Sequence, residues 1–108
     1  MNYKTEITSK ALNEIESAYR WMADNLGTAF VERWYENLTA KIESLGTFPN
    51  RCAIVQEAEG FDAIVRQLRV GKYRVLFSVD EMTVNILSVR HVKQQMFPNE
   101  NENEADED

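Results

Sequence analysis

The stretch VRQLRVGKYRVLFSVDEMTVNILSVRH, residues 65 to 91, decides the fold of this chain. Apolar and polar residues alternate along it with the two-residue period of a β-strand, and the short connections GK and DEM interrupt the alternation. Three consecutive strands with such short connections pair as an antiparallel meander. The predicted strands are Ile64 to Val70, Tyr73 to Val79, and Thr83 to Arg90.

The residues before this stretch have the patterns of one strand and two helices. Tyr3, Thr5 and Ile7 alternate with charged residues, which predicts a short first strand. Thr8 or Ser9 is expected to cap the first helix, and Thr28 the second. The apolar stripes that define the two helices are Leu12, Ile15, Tyr19 and Met22, then Val31, Trp34 or Tyr35, Leu38, Ile42 and Leu45, with Gly46 as the C-cap of the second.

The order of these elements predicts an α+β domain. About four residues separate the two helical stripes, so the helices are expected to form an antiparallel pair on one face of a three- to four-stranded antiparallel sheet. Residues 47 to 62 lack a clear period and are predicted to be a loop, with one short strand around Ala53 to Gln56. The other face of the sheet is expected to be available to a partner.

Length and charge predict one domain with an acidic tail. With 108 residues the chain can close one modest core, so residues 1 to 97 are expected to be a single domain. Residues 98 to 108, PNENENEADED, hold six acids and no base, whereas the preceding 97 residues balance 12 bases against 12 acids. This segment is predicted to be disordered, because it has little apolar surface to bury. It acts either as a solubilising tail or as a tethered polyanion.

Several classes of protein and site are excluded by composition. A single cysteine, Cys52, cannot form an internal disulfide, and the first residues lack the apolar segment of a secretory signal. No apolar run is long enough to span a bilayer, so a cytoplasmic protein without a membrane partner is expected. One histidine and one cysteine do not make a zinc site, and no glycine-rich phosphate loop is present. No metal or cofactor is expected.

Basic residues are concentrated in the strand-rich part of the chain. Residues 64 to 97 contain six bases and two acids. We expect these bases to bind a polyanion or an acidic protein segment, because a rigid sheet packs their aliphatic stems and presents their charged ends as one surface. The candidate target- or RNA-binding residues are Arg66, Arg69, Lys72, Arg74, Arg90 and Lys93.

The register of the last hairpin is open. If DEM is a three-residue connection, Arg74 opposes Ser88 and shares a face with Ser78, Ser88 and Arg90. If only DE turns, Arg74 opposes Leu87 and His91 takes the place of Arg90 beside Arg74. A slip of one residue exchanges the two faces, so the register decides which side chains form the site.

The strand-rich stretch and the elements before it resemble a known family. The combination RQLRVGKYRVLFSVDEMTVNILSVRH, preceded by a strand and a helix pair that ends in LGTFPNR, resembles the RelE/ParE superfamily of type II toxin–antitoxin toxins, often called plasmid stabilisation proteins. The resemblance covers about residues 3 to 95 and is most specific in VGKYRVLF and VNILSVRH. It implies a fold like the one derived above and a cognate antitoxin as partner. Arg74 matches the arginine of the family's YR strand motif.

The resemblance implies two quite different activities. ParE-like members act on DNA gyrase by binding, whereas RelE-like members cut messenger RNA on the ribosome without a metal. In the second case Arg74 would stabilise charge on phosphorus and His91 would move the proton. RelE-like nucleases also use a lysine pair and a C-terminal tyrosine, and this sequence has Val65, Gln67 and Phe97 there.

These departures favour a ParE-like toxin that inhibits growth by binding its target. A RelE-like endoribonuclease is the first alternative, and a degenerate family member that keeps only partner binding is the second. Whether the chain is an enzyme stays open, as does its oligomeric state, and a homodimer is compatible with the sequence.

Overall fold

The computed structural model describes residues 2–55 and 64–93. Their elements follow the predicted order of strand, helix pair and strands. The elements are β1 (Lys4–Ile7), α1 (Ser9–Leu26), α2 (Thr28–Ser44), a 3-10 turn (Pro49–Arg51), β2 (Ala53–Ile54), β3 (Arg66–Val70), β4 (Tyr73–Asp80) and β5 (Thr83–His91). The acidic segment 98–108 lies outside the described residues, as does most of the predicted loop after β2.

All five strands form one sheet in the order β1-β5-β4-β3-β2. The strands β3, β4 and β5 pair in sequence as the predicted antiparallel meander. The first strand lies parallel to β5, with Lys4 opposite Thr83 and Ile7 opposite Ile86, while β2 pairs with β3 at the other edge. The predicted α+β class is therefore confirmed, and the two short strands extend the sheet at both edges.

Thr8 joins the start of α1 to the sheet. Its Oγ1 accepts a hydrogen bond from the Ala11 backbone N–H at 3.2 Å, which confirms Thr8 as the N-cap. The same hydroxyl donates to the Ile86 carbonyl at 2.9 Å, so the cap also positions α1 over β5.

Within the described residues, no helix combines the length and hydrophobicity needed to cross a bilayer.

The two helices are joined by Gly27 alone. Its φ of 97° lies in the region that glycine adopts without strain, which allows the chain to reverse in one residue. The predicted cap of α2 at Thr28 is therefore wrong, since Gly27 holds that position and Thr28 is the first helical residue. The rings of Tyr19 and Tyr35 meet at 5.8 Å on either side of the reversal, as expected of an antiparallel pair.

The main core lies between the helices and one face of the sheet. Ile15 and Met22 of α1 are buried as predicted, but Leu12 is 47% exposed and the smaller Ala11 takes the buried position. The C-cap of α2 is Leu45, one residue before the predicted Gly46. The buried residues of α2 and the sheet that complete this core are Val31, Trp34, Leu38, Ile42, Leu45, Val70, Val75, Phe77, Val84, Ile86 and Val89.

A second, smaller cluster lies on the opposite face of the sheet. Val55, Val65 and Leu76 are buried there, and Leu87 packs against them. Leu76 and Phe77 are consecutive in β4 and fully buried, so the pleat sends one side chain into each cluster. The prediction that this whole face is available to a partner is therefore wrong around Leu76.

Neither predicted register of the last hairpin is found. Asp80 pairs with Thr83, so the turn residues are Glu81 and Met82, with Glu81 at a φ of 57°. An irregularity at Leu76/Phe77 then shifts the pairing by one residue, because Leu87 is an extra residue on β5. The result is that Arg74 pairs directly with Arg90.

Candidate binding site

Three arginines lie side by side on the sheet face opposite the helices. Arg69 of β3 pairs with Arg74 of β4, and Arg74 pairs with Arg90 of β5. Directly paired residues project from the same face, and adjacent strands lie about 4.8 Å apart, so the three Cα atoms fall within about 10 Å. We call Arg69, Arg74 and Arg90 the arginine row. Such a row concentrates positive charge on one face, which makes it a candidate site for an anionic ligand.

The three members of the arginine row are held differently. Arg69 is exposed, and its Nε donates to the Gly71 carbonyl at 3.0 Å, which directs the side chain toward the β3–β4 turn. Arg74 is partly buried at the centre of the row. The side chain of Arg90 is only 11% exposed, and its Nε donates to Ser88 Oγ at 3.0 Å and lies 3.9 Å from Glu14 Oε2.

Glu14 joins α1 to the uncovered part of β5. The first strand covers β5 only from Thr83 to Ile86, so the backbone beyond that point has a free edge toward α1. Glu14 Oε1 accepts hydrogen bonds at 2.8 Å from both the Val89 N–H and the Ser88 hydroxyl. Lys10 donates to Glu14 Oε2 at 2.7 Å. One carboxylate thus satisfies a strand edge and places a negative charge beside Arg90.

Glu14 is the site residue that the sequence reasoning missed, whereas one of the two predicted registers placed Ser88 on the same face as Arg74 and Arg90. Glu14 lies between the apolar positions of α1, where any polar residue is expected. The hydrogen bonds that define its role join it to residues 74 and 75 positions away. No local sequence signal distinguishes it from the exposed acid Glu16 two residues later. The one available clue was that the first strand is shorter than the last, which leaves part of the last strand unpaired on that edge and in need of an acceptor.

The remaining predicted cationic residues do not join the arginine row. Arg66 pairs with Phe77 on the helix side of the sheet, where its guanidinium donates to the Cys52 carbonyl at 2.7 Å and the Asn50 carbonyl at 3.2 Å. It therefore anchors the segment before β2. Lys72 is exposed in the turn between β3 and β4, and Lys93 is exposed just after the end of β5.

An apolar groove lies on the helix side at the same end of the sheet. Its volume is about 550 Å³. Trp21, Leu26 and Phe30, at 57%, 48% and 44% exposure, come from the helix reversal and leave the groove accessible. We call this the aromatic groove. Its lining residues are Trp21, Met22, Leu26, Phe30, Trp34, Gly71, Lys72, Tyr73 and His91.

The floor of the aromatic groove is a row of three rings in tilted and edge-to-face contact. Tyr73 lies 5.2 Å from Trp34 and 5.2 Å from His91 between ring centroids, and burial raises the pKa of the Tyr73 hydroxyl. The Trp34 indole N–H is buried and has no hydrogen-bond acceptor among the described residues. The groove therefore combines exposed apolar side chains at its rim with a buried aromatic floor.

His91 belongs to the aromatic groove. It pairs with Tyr73, next to the Arg74–Arg90 pair in the ladder. Because adjacent residues of a strand project from opposite faces, His91 lies on the face opposite Arg90. Burial lowers the pKa of its imidazole, and the positive charges of Lys93 and Lys72 lower it further. The two candidate catalytic side chains, Arg74 and His91, are not brought together.

The chemistry of the arginine row is that of an anion site. Guanidinium groups bind carboxylates and phosphates through paired N–H donors. The chain's one histidine is in the aromatic groove, and the Glu14 carboxylate already accepts from Ser88 and Val89. In the part of the chain that the structure describes, no three His, Cys, Asp or Glu side chains converge as they would around a metal ion.

A family model matches most of the chain. The model of the ParE toxin of the type II toxin–antitoxin system parDE matches residues 5–96. This range contains every element of the helix pair and meander as well as the arginine row. Comparison with curated protein sequences gives no significant match.

Solved structures with a similar fold come from toxin–antitoxin systems. A chain of the chromosomal ParDE system of P. aeruginosa has a TM-score of 0.70 at 17% identity, over 82% of this chain and 95% of that chain. A chain of the RelBE2 complex of Mycobacterium tuberculosis has a TM-score of 0.52 at 25% identity, over 84% and 99%. A chain of the archaeal RelE–RelB complex of Pyrococcus horikoshii OT3 has a TM-score of 0.51 at 21% identity, over 88% and 100%.

Proposed function

We propose that this chain, which belongs to the ParE toxin family of type II toxin–antitoxin systems, arrests growth by binding DNA gyrase and is held inactive by a cognate antitoxin. Membership of the family supports the toxin role. The arginine row supplies a surface for an anionic target, and the aromatic groove supplies a surface for an antitoxin segment.

The separation of Arg74 from His91 supports a mode of action by binding. Metal-free RNA cleavage needs a base within hydrogen-bond reach of the 2′-hydroxyl and a cation on the same phosphate. Here the imidazole faces the aromatic groove on one side of the sheet, while Arg74 projects from the other side. An anion that contacts the arginine row is therefore screened from His91 by the sheet itself.

The aromatic groove supports the antitoxin part of the proposal. Contiguous exposed apolar surface is unusual on a monomer and marks docking sites. An amphipathic helix that buries Trp21, Leu26 and Phe30 fits such a surface. Similar solved structures are described as toxin–antitoxin complexes, which agrees with a partner of this kind.

Induced expression in a bacterial host tests the proposal. The wild-type chain is expected to arrest growth, co-expression of the antitoxin encoded beside it is expected to relieve the arrest, and Arg74→Gln is expected to abolish it. Arg33→Gln, an exposed arginine on α2 that belongs neither to the arginine row nor to the lining of the aromatic groove, is the matched control and is expected to keep the arrest. Purified toxin is expected to stabilise gyrase cleavage complexes on supercoiled plasmid, and Arg74→Gln is not.

Two outcomes would overturn the gyrase assignment. Codon-specific cuts in messenger RNA, mapped by primer extension without any gyrase cleavage complex, would select a RelE-like endoribonuclease. Antitoxin binding without growth arrest by the wild-type chain would select a degenerate member that only binds its partner.

A further inference from the structure

The position of the arginine row relative to the C-terminal segment suggests a contact within the chain. Arg90 is the last residue but one of β5, and Lys93, the last described residue, follows it by three positions. An extended chain spans up to about 3.3 Å per residue, so the seven steps from Lys93 to Glu100 can cover about 23 Å. That reach exceeds the width of the row, which is about 10 Å across three strands.

The charges of the two parts are complementary. Residues 98 to 108 contain six acids and no base, and the residues before them are neutral overall. Among the described residues, the Glu14 carboxylate lies 3.9 Å from Arg90, and Lys10 is bound to the same carboxylate at 2.7 Å. Glu14 is therefore at the Arg90 end of the row, two strand spacings from Arg69 at the other end.

We propose that the acidic segment 98–108 binds the arginine row of its own chain. Because the segment is tethered a few residues from the row, its effective concentration there is on the order of millimolar. At that concentration, carboxylate–guanidinium contacts that are individually weak form in a substantial fraction of the molecules. Such contacts weaken as salt screens them. The bound segment shields the row from other polyanions, and a target must displace it.

The aromatic groove is a poorer site for the same segment. Its two flanking cations, Lys72 and Lys93, are exposed single charges, and its lining is otherwise largely apolar. Guanidinium groups in a row offer paired donors to successive carboxylates, whereas a run of acids has no apolar side chains to fill the groove. The sheet face is thus the better electrostatic and chemical match.

Paramagnetic relaxation in the full-length chain tests the contact directly. A nitroxide is attached at Ala105→Cys, and Cys52 is only 9% exposed, so labelling at the new cysteine is favoured. The backbone amides of Arg69 and Arg74 are expected to broaden at 50 mM NaCl and to recover at 500 mM. Arg69 is the most informative position because, unlike Arg90, it is distant from the tail in sequence. Unbroadened Arg69 and Arg74 amides at low salt would overturn the proposal.

Matched charge variants separate a specific contact from net charge. The tail triple Glu100→Gln, Glu102→Gln, Glu104→Gln is expected to abolish the broadening. The helix triple Glu32→Gln, Glu36→Gln, Glu43→Gln changes the net charge equally at exposed positions of α2 and is expected to leave it unchanged. Equal effects of the two triples would mean that the tail responds only to overall charge, and would also overturn the proposal.

Binding of a probe polyanion measures the shielding. Fluorescein-labelled dT12, followed by anisotropy at 50 mM NaCl, is expected to bind the tail triple about tenfold more tightly than the wild-type chain. The helix triple is expected to change the affinity by less than about twofold. In an Arg69→Gln, Arg74→Gln background the tail triple is expected to have no further effect, and a persisting effect would contradict shielding of the row.

The contact is independent of the cellular target. The relaxation experiment contains neither gyrase nor ribosome, so it can succeed while the growth and cleavage assays fail, or the reverse. Loss of the toxin assignment would leave the tail contact standing.

Discussion

The two faces of the sheet differ sharply at one end, although the residues that make them are adjacent in sequence. Tyr73 and His91 face the helices and form the floor of an aromatic groove, whereas their neighbours Arg74 and Arg90 form part of the arginine row. Side chains alternate across a strand, so a step of one residue moves from an apolar surface to a cationic one. Two surfaces of opposite character are therefore separated by the thickness of a single sheet.

The helices explain much of this difference. On their side, α1 and α2 supply Trp21 and Trp34 and remove water from Tyr73 and His91, which disfavours charge on the imidazole. On the other side, Glu14 supplies a carboxylate beside Arg90, and guanidinium groups keep their charge in any protein environment. Single substitutions on each face test this difference.

The largest expected changes in unfolding free energy come from truncating a buried side chain on each face of the sheet. Phe77→Ala removes a fully buried ring from the main core and is expected to lower the free energy of unfolding by about 3–5 kcal/mol. Leu76→Ala, on the opposite face, is expected to cost about 2–4 kcal/mol, because Leu76 is also fully buried. Urea unfolding monitored by tryptophan fluorescence measures both values.

The control for these substitutions is Ile64→Ala. Ile64 is 63% exposed and is expected to change the unfolding free energy by less than about 0.5 kcal/mol. A cost for Leu76→Ala as small as that of the control would show that the second cluster is not packed and that the arginine-bearing face is open throughout.

The next effect concerns the carboxylate that joins the helix layer to the edge of β5. Glu14→Ala leaves the Val89 N–H and the Ser88 hydroxyl without their shared acceptor and is expected to cost about 1–3 kcal/mol. The neighbouring exposed residue gives the matched control, Glu16→Ala, with an expected change within about 0.5 kcal/mol. Thermal or urea unfolding distinguishes the two, and equal values would mean that solvent satisfies the strand edge as well as Glu14 does.

The smallest effect is the pH dependence contributed by His91. Its pKa in the folded chain lies below the ordinary value of 6.5, so protonation favours the unfolded chain. The His91 contribution to the free energy of unfolding is constant above about pH 7, decreases as the pH falls through 6.5, and becomes constant again below the lowered pKa. Because the chain has one histidine, a single imidazole resonance in an NMR titration reports this pKa.

Neutralising a neighbouring lysine should move this midpoint. Lys72→Gln removes one of the two positive charges near His91 and is expected to raise its pKa toward 6.5. Lys41→Gln, on the exposed side of α2, is the control and is expected to leave it unchanged. A wild-type midpoint at or above 6.5 would contradict a desolvated imidazole in the groove.

Much of the fold could be predicted because its signals are local. Strand alternation, helical stripes and the Thr8 cap each depend on a few neighbouring residues, and each was found where it was expected. The cap at Thr28 was wrong for an equally local reason, since a one-residue reversal at Gly27 leaves no room for a separate cap. Helix faces were right to within one position, with Ala11 buried in place of Leu12.

The candidate site could be predicted only as a composition. The clustering of Arg66, Arg69, Lys72, Arg74 and Arg90 was visible in the sequence, but their division between two faces was not. The choice between Arg90 and His91 as the neighbour of Arg74 depends on the turn at Glu81 and Met82 and on the extra residue Leu87, which together bring Arg90 there.

Secondary structure, the balance of charge along the chain and the likeness to a toxin family follow from the sequence alone, because short-range patterns carry them. Which charges share a surface, and which acid lies beside them, depends on the tertiary structure. The hydrogen bonds from Glu14 to β5 span 74 and 75 residues, and the register of the last hairpin depends on a turn and an extra residue whose pairing energies no alternation pattern specifies.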